Sequence, residues 1–128
     1  LSVLSWAESR WGALPLALGG FSFGGYVQVR VANRLADGIA PPRALVLVGM
    51  AAGETTGSGR SYETPALPGK IPALVIHGEQ DETVALANVL DWARPQDQPI
   101  IVIPGADHFF HGKLHLIREL IARNIDPA

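Results

Sequence analysis

The chain has 128 residues, enough for one domain with a core of its own. Hydrophobic residues make up 48% of it and charged residues 17%, which excludes an intrinsically disordered polypeptide. Ten basic and twelve acidic residues give a formal net charge of −2 and never gather into a long run, so neither nucleic acid nor an anionic membrane is expected as a partner.

The chain contains no cysteine, so disulfides, thiolate chemistry and cysteine-ligated metals are excluded, and either redox compartment is tolerated. The most apolar stretch, Trp11 to Val29, is interrupted by Pro15 and by glycines. It falls short of the ~20 apolar residues that a bilayer span needs. The opening Leu-Ser-Val-Leu-Ser-Trp-Ala-Glu lacks the basic start and small-residue cleavage site of a secretory signal, which leaves a cytoplasmic location as the expectation. Because the first residue is Leu1 and not Met, the natural N-terminus is expected to be missing or processed.

In chain order, residues 3–11 read as the end of a helix, with Val3, Leu4, Ala7 and Trp11 at helical spacing and Gly12 as its stop. Pro15 to Gly20 is a short apolar run consistent with a buried strand. From Phe23 to Ala36 the period becomes helical, with Tyr26, Val27, Val31 and Leu35 on one face and Gly38 at the C-cap position. Ala44–Val48 is uniformly apolar, the mark of a strand covered on both faces, and Ala73–Ile76 and Ile100–Ile103 repeat that signature.

Between the last two strands, Thr83–Arg94 reads as a helix carrying Val84, Ala87, Leu90 and Ala93. A final helix from Gly112 to Arg123 would bury Leu114, Ile117, Leu120 and Ile121. Strands that alternate with helices predict a parallel sheet with helices on both faces, in a single domain over residues 1–128. Ala51 to Ile71 is rich in Gly, Ser, Thr and Pro and reads as a long loop, of the kind that is usually functional or mobile.

Gly20-Phe21-Ser22-Phe23-Gly24 matches G-x-S-x-G and falls between a predicted strand and a predicted helix. A serine on such a sharp turn exposes its hydroxyl above the sheet, and flanking glycines let the backbone pass without a Cβ clash. The Phe23 backbone N–H then points at a developing oxyanion near the positive end of the helix dipole.

The strand at 73–76 runs into His77-Gly78-Glu79-Gln80-Asp81, and the strand at 100–103 into Pro104-Gly105-Ala106-Asp107-His108. All strand C-termini of a parallel sheet lie on one edge, so the turns holding Ser22, Asp81 and His108 face the same side. This coincidence carries the functional argument. His108 would take the Ser22 proton and later protonate the leaving group, while Asp81 would hold the imidazole tautomer and stabilise the imidazolium.

Glu79, Glu82 and Asp107 are rival acids. Asp107 adjoins the base, and adjacent side chains rarely face one another, which favours Asp81. Taken singly, Ser22 reads as a turn residue, Asp81 as an N-cap and His108 as a solvated loop group. His108, His111 and His115 are spaced closely enough to suggest a metal. No carboxylate or cysteine partner is evident for them, and a solvated helix start explains them better, so neither metal nor cofactor is expected. His77, at a strand end, reads as a hydrogen-bonded structural residue.

Gly19-Gly20-Phe21-Ser22-Phe23-Gly24-Gly25-Tyr26, His77-Gly78-Glu79-Gln80-Asp81-Glu82-Thr83-Val84 and Pro104-Gly105-Ala106-Asp107-His108-Phe109-Phe110 together resemble the α/β-hydrolase superfamily. The branch they are most similar to is that of small, cap-less bacterial hydrolases related to dienelactone hydrolases and acyl-peptidase-like esterases. The resemblance implies the C-terminal half of an α/β-hydrolase fold, an α/β domain whose parallel sheet has about four strands flanked by helices.

It also implies that the first half of the fold, which normally completes the oxyanion hole and pairs with the strand before Ser22, lies outside the chain. That strand would then be an open apolar edge, through which copies of the chain could associate. Losing one oxyanion donor costs about 10²–10³ in rate. Residues 51–71 would replace a helix and could line a substrate pocket.

The implied activity is hydrolysis of a small-molecule carboxylic ester or thioester through an acyl-enzyme. The alternative is a truncated, inactive remnant that acts by association. Dehalogenation usually needs an aspartate nucleophile, so Ser22 argues against it. Phe21, Phe23, Phe109 and Phe110 near the three site residues hint at an apolar substrate, with a place in the core as the equal alternative.

Overall fold

The computed structural model describes residues 2–12, 14–37, 41–69 and 71–125. The C-cap position assigned to Gly38 lies outside them. The elements are α1 (Ser2–Trp11), β1 (Ala17–Phe21), α2 (Phe23–Ala36), β2 (Ala44–Val48), β3 (Gly53–Glu54), β4 (Ser61–Tyr62), β5 (Ala73–Gly78), α3 (Leu86–Ala93), β6 (Ile101–Ile103) and α4 (Leu114–Asn124).

The four long-range strands form one parallel sheet in the order β1-β2-β5-β6. Its register is continuous: Leu18 pairs with Leu45, Leu45 with Ala73, and Ile76 with Ile101. The uniformly apolar β2 and β5 occupy the two central places, where both faces are covered, as their composition requires.

Alternating side chains send Leu47 and Val75 to one face, where they pack with Val29 of α2 and Val89 of α3. Leu74, Ile76 and Ile103 go to the other face, against Ile117 of α4. Fully burying a side chain such as Leu47 or Ile76 contributes about 1.5–3 kcal/mol, which is what fixes the helices to the sheet. On β1 only Leu18 is buried. The strand is an edge, and Ala17, Gly19 and Phe21 join Val46, Val48, Ile121 and Ile125 along an open apolar groove.

Several boundaries differ from the sequence reading, each for a local reason. The first strand starts at Ala17, not Pro15, because proline offers no N–H for the ladder. The third helix begins at Leu86 instead of Thr83, since the Asp81 carboxylate accepts the Thr83 and Val84 N–H groups in a separate turn. The last helix begins at Leu114, after Gly112 takes a positive φ of 73°. The apolar spacing of α1 does build a helix, but none of its residues is buried, and Trp6 and Trp11 stay more than half exposed.

Residues 51–71 are not a structureless loop. They hold a two-stranded antiparallel hairpin, β3 with β4, pinned to the helices by side chains. Asn88 Nδ2 donates to the Ala52 and Glu54 carbonyls, Trp92 Nε1 to Pro65 O, and Asn33 Nδ2 to Ala66 O. These ties replace the ladder bonds that a short hairpin lacks, and nothing in local periodicity announces them. The hairpin delivers Tyr62 to the C-terminal edge of the sheet, within 6.1 Å of the Phe23 ring.

Candidate active site

Ser22 occupies the turn between β1 and α2 with φ 55° and ψ −119°, a conformation that L-residues adopt rarely and at a cost of order 1–3 kcal/mol. Backbone bonds on both sides hold it there. Its N–H donates to Val48 O, and its carbonyl accepts from Gly25, Tyr26 and Ala51 N–H.

Two glycines make the turn sterically feasible, and they are not quite the pair the motif suggests. A Cβ at Gly20 would stand 2.6 Å from Gly25 N and closer still to the Gly24 carbonyl. Gly24 has open space around it, whereas a Cβ at Gly25 would press on the buried Met50 at 3.0 Å. The close approaches therefore involve Gly20 and Gly25, and Gly24 is free of steric demand.

The structure brings Ser22, His108 and Asp81 together from three strand ends. Ser22 Oγ lies 3.1 Å from His108 Nε2, and His108 Nδ1 lies 2.7 Å from Asp81 Oδ2. Asp81 and His108 are almost wholly buried, so their pairing is protected from solvent, while Ser22 reaches the surface between the exposed rings of Phe21 and Phe23. Asp81 Oδ1 accepts the Thr83 N–H at 2.9 Å and the Val84 N–H at 2.7 Å. Asp81 thus caps the turn before α3 through Oδ1, although the N-cap of the helix itself is Ala85, and meets the His108 ring through Oδ2. Phe23 N–H opens α2 beside Ser22, among the helix donors that have no partner within the helix itself.

Each rival acid has another task. Glu79 Oε1 accepts the Gly105 N–H and Glu82 Oε2 the His108 N–H, so both carboxylates brace the histidine loop. Asp107 turns to His111, accepting its backbone N–H and pairing with its ring. His111 therefore does have a carboxylate partner, contrary to the sequence reading, and it precedes α4 instead of starting it. That pairing holds the exposed Asp107 carboxyl below the ordinary carboxylate range. Among the described residues, no group of three or more His, Asp or Glu side chains is placed to hold a metal ion.

Of the four phenylalanines, Phe110 is a core residue at 1% exposure, with its backbone in the left-handed region to turn the chain toward α4. Phe21 and Phe109 stand beside the His108 ring, with centroids 4.9 and 5.0 Å away. Phe23, Tyr26 and Tyr62 form a second aromatic cluster, which Phe23 joins directly after Ser22 in the chain. Tyr62 was not singled out in the sequence, because only the fold of the hairpin carries it there.

His77 is fully buried, and its Nε2 lies 2.7 Å from Val84 O. Burial lowers its pKa below the ordinary imidazole value of 6.5, against the opposing pull of the Val84 carbonyl and Asp81. The folded protein thus binds a proton at His77 less readily than the unfolded chain does. The contribution of His77 to stability is complete above about pH 6.5 and is lost as pH falls below it, by at most about 1.4 kcal/mol per pH unit. Urea unfolding at pH 7 and pH 5 should show this loss in the wild type and a smaller one in His77→Gln.

A parallel sheet covered by helices on both faces, with a strained serine between strand and helix, defines an α/β-hydrolase fold. Among solved structures, the chain is similar to an α/β serine hydrolase homologue from Coxiella burnetii, at 31% identity and TM-score 0.73. The match covers 98% of this chain and 56% of that one. It is also similar to a lid-less α/β serine hydrolase from Xanthomonas campestris, at 31% identity and TM-score 0.75, covering 98% and 55%. The esterase domain of a Rhodothermus marinus protein shares the fold at 18% identity and TM-score 0.61, covering 85% and 57%.

No family model and no curated protein matches the chain. By fold and sequence the chain belongs to the α/β-hydrolase superfamily, and it spans little more than half the length of these serine hydrolases. No helix among its described residues is long and apolar enough to cross a membrane.

Proposed function

We propose that this chain carries the catalytic centre of a serine hydrolase that cleaves a carboxylic ester or thioester, with Ser22 as nucleophile, His108 as base and Asp81 as orienting acid. The reading rests on one observation above all, the unbroken run of contacts from Ser22 Oγ through the His108 ring to Asp81 Oδ2. Ser22 Oγ attacks the substrate carbonyl carbon as its proton passes to His108 Nε2. The Phe23 N–H stabilises the oxyanion of the tetrahedral intermediate. Collapse of that intermediate expels the alcohol or thiol, which takes the proton back from Nε2. Water then enters by the same route in reverse order and releases the acid.

The exposed aromatic rings on either side of Ser22 favour an apolar acyl or alcohol group. In this reading residues 1–128 act as one partial hydrolase domain in the cytoplasm, on a small molecule and with no nucleic acid as partner. The open β1 edge is a surface through which two copies could pair.

Reaction of the purified chain with a fluorophosphonate, read by intact mass and peptide mapping, tests the proposal. An adduct on Ser22 that is lost in Ser22→Ala and in His108→Ala is the expected outcome. A folded chain that gives no adduct would overturn it, and would favour a non-catalytic role for a chain with an open sheet edge.

A further inference from the structure

The rings around Ser22 fall into two clusters, and among the described residues no ring of one is paired with a ring of the other. Phe21 and Phe109 meet each other at 5.8 Å and flank the His108 imidazole at 4.9 and 5.0 Å. Phe23, Tyr26 and Tyr62 meet one another at 5.2 to 6.1 Å. The first cluster encloses the base. The second starts on the residue that follows Ser22 and ends on the hairpin.

That hairpin is tied to the nucleophile turn. Thr64, which follows β4 closely, donates its hydroxyl to Ala51 O at 2.7 Å, and the Ala51 N–H donates to Ser22 O at 3.0 Å. Tyr62 is thus held in register with Ser22 by bonds that do not involve its own side chain. The Tyr26 hydroxyl accepts from Arg30 Nη1 at 2.8 Å, so its polar tip is satisfied along α2 and its ring is left as an apolar face. Phe23 and Phe109 are each more than half exposed, so both clusters present a ring to solvent.

Acyl transfer assigns the clusters different work. In the tetrahedral intermediate the former carbonyl carbon carries Ser22 Oγ, the oxyanion, the leaving group and the acyl group, and the oxyanion faces the Phe23 N–H. When the C–O or C–S bond breaks, the departing oxygen or sulfur keeps the electron pair. It takes from His108 Nε2 the proton that Oγ gave up. That atom therefore stands at Nε2, and the group attached to it lies against the rings that flank the imidazole. The acyl group is the substituent that remains.

We propose that the two clusters sort the two halves of the substrate: Phe21 and Phe109 receive the departing alcohol or thiol, whereas Phe23, Tyr26 and Tyr62 receive the acyl group. Tyr62 is then a specificity-determining residue, and the substrate class is an ester or thioester with an aromatic acyl group. This rests on the serine-hydrolase reading of the site. The interplanar angles of 30°, 55° and 63° within the second cluster give a wall that a flat ring meets in offset or edge-to-face contact, whereas an acetyl group offers it one methyl.

Thioesters make the test direct, because the chain has no cysteine and every thiol released is product. The kcat/KM values are measured for the S-ethyl thioesters of acetic and phenylacetic acid and for S-benzyl thioacetate. The wild type is compared with Tyr62→Ala, Tyr62→Leu, Phe109→Ala and Phe109→Leu, each shown to be folded by circular dichroism. The leucine variants keep apolar bulk where alanine would loosen the hairpin or the histidine loop. Ratios between substrates cancel any general loss of rate.

The Tyr62 variants should lower the preference for phenylacetyl over acetyl by about threefold to tenfold, and hold the preference for benzyl over ethyl within about twofold of wild type. The Phe109 variants should do the reverse. Unchanged ratios in folded variants, both ratios falling together, or a crossed pattern would overturn the sorting. A wild-type chain that releases no thiol and takes no fluorophosphonate adduct would sink the hydrolase reading. The two subsites are then decided separately, by NMR amide shifts of the isotope-labelled chain titrated with phenylacetate and with benzyl alcohol. Distinct footprints, at Phe23 and Tyr62 for the acid and at Phe21 and Phe109 for the alcohol, uphold them; a shared footprint or none overturns them.

Discussion

Asp81→Asn is expected to lower the rate of Ser22 acylation by about 10⁴-fold while leaving the fold intact. The asparagine Oδ1 would keep the Thr83 and Val84 N–H groups, whose bonds at 2.9 and 2.7 Å fix the side chain's rotation. Its NH₂ would then stand where Oδ2 stands, 2.7 Å from His108 Nδ1. Two donors cannot share that contact, so the ring must present Nδ1 as an acceptor and carry its proton on Nε2. In that tautomer Nε2 points an N–H at Ser22 Oγ and cannot receive the hydroxyl proton. Labelling rates measured from pH 5 to 9, with thermal unfolding as a control, check this. A folded Asp81→Asn chain that reacts within tenfold of wild type would mean that another carboxylate orients His108, and Glu82 would be the first to examine.

The largest effect on stability is expected at Gly20. A methyl group there would enter the backbone of the first turn of α2, at 2.6 Å from Gly25 N. Backbone atoms cannot move aside as a flexible side chain can, and Ser22 is already held in its strained conformation by bonds to Val48, Gly25, Tyr26 and Ala51. Gly20→Ala should therefore destabilise the chain by about 3 kcal/mol or more, at the upper end of overpacking costs, or prevent folding. Gly24→Ala is the matched control. Nothing lies within 4 Å of its added Cβ, and it sits inside a helix, so it should be neutral or stabilise by about 0.5–1 kcal/mol. Urea midpoints of the two variants separate these cases. Equal destabilisation would show that the strand-to-helix turn is looser than the packing around Gly20 indicates.

Both predictions concern residues that were legible in the sequence for different reasons. Gly20 and Ser22 belong to a contiguous motif. Asp81 and His108 become meaningful only once two apolar runs are read as parallel strands whose ends share an edge. That inference succeeded because each strand is short, wholly apolar and followed at once by its polar turn, so periodicity and composition agree. The choice among Glu79, Asp81, Glu82 and Asp107 is not written in local pattern. It turns on side-chain direction, and in the fold Glu79, Glu82 and Asp107 accept the backbone N–H groups of Gly105, His108 and His111 respectively, while Asp81 meets the His108 ring.

By itself the sequence determined the alternation of apolar strands with amphipathic helices, the parallel sheet that follows from it, and the convergence of Ser22, Asp81 and His108 on one sheet edge. These depend on local pattern and on the geometry common to all parallel sheets. Only the tertiary structure decided the course of residues 51–71, the arrival of Tyr62 beside Phe23, the burial of Phe110 beneath the histidine loop and the place of His77 behind Asp81. Each of these is set by contacts between segments far apart in the chain, such as Asn88 with Ala52 and Trp92 with Pro65. Such contacts leave no period or motif in either segment, because a single side chain meeting a distant carbonyl constrains neither neighbour in sequence.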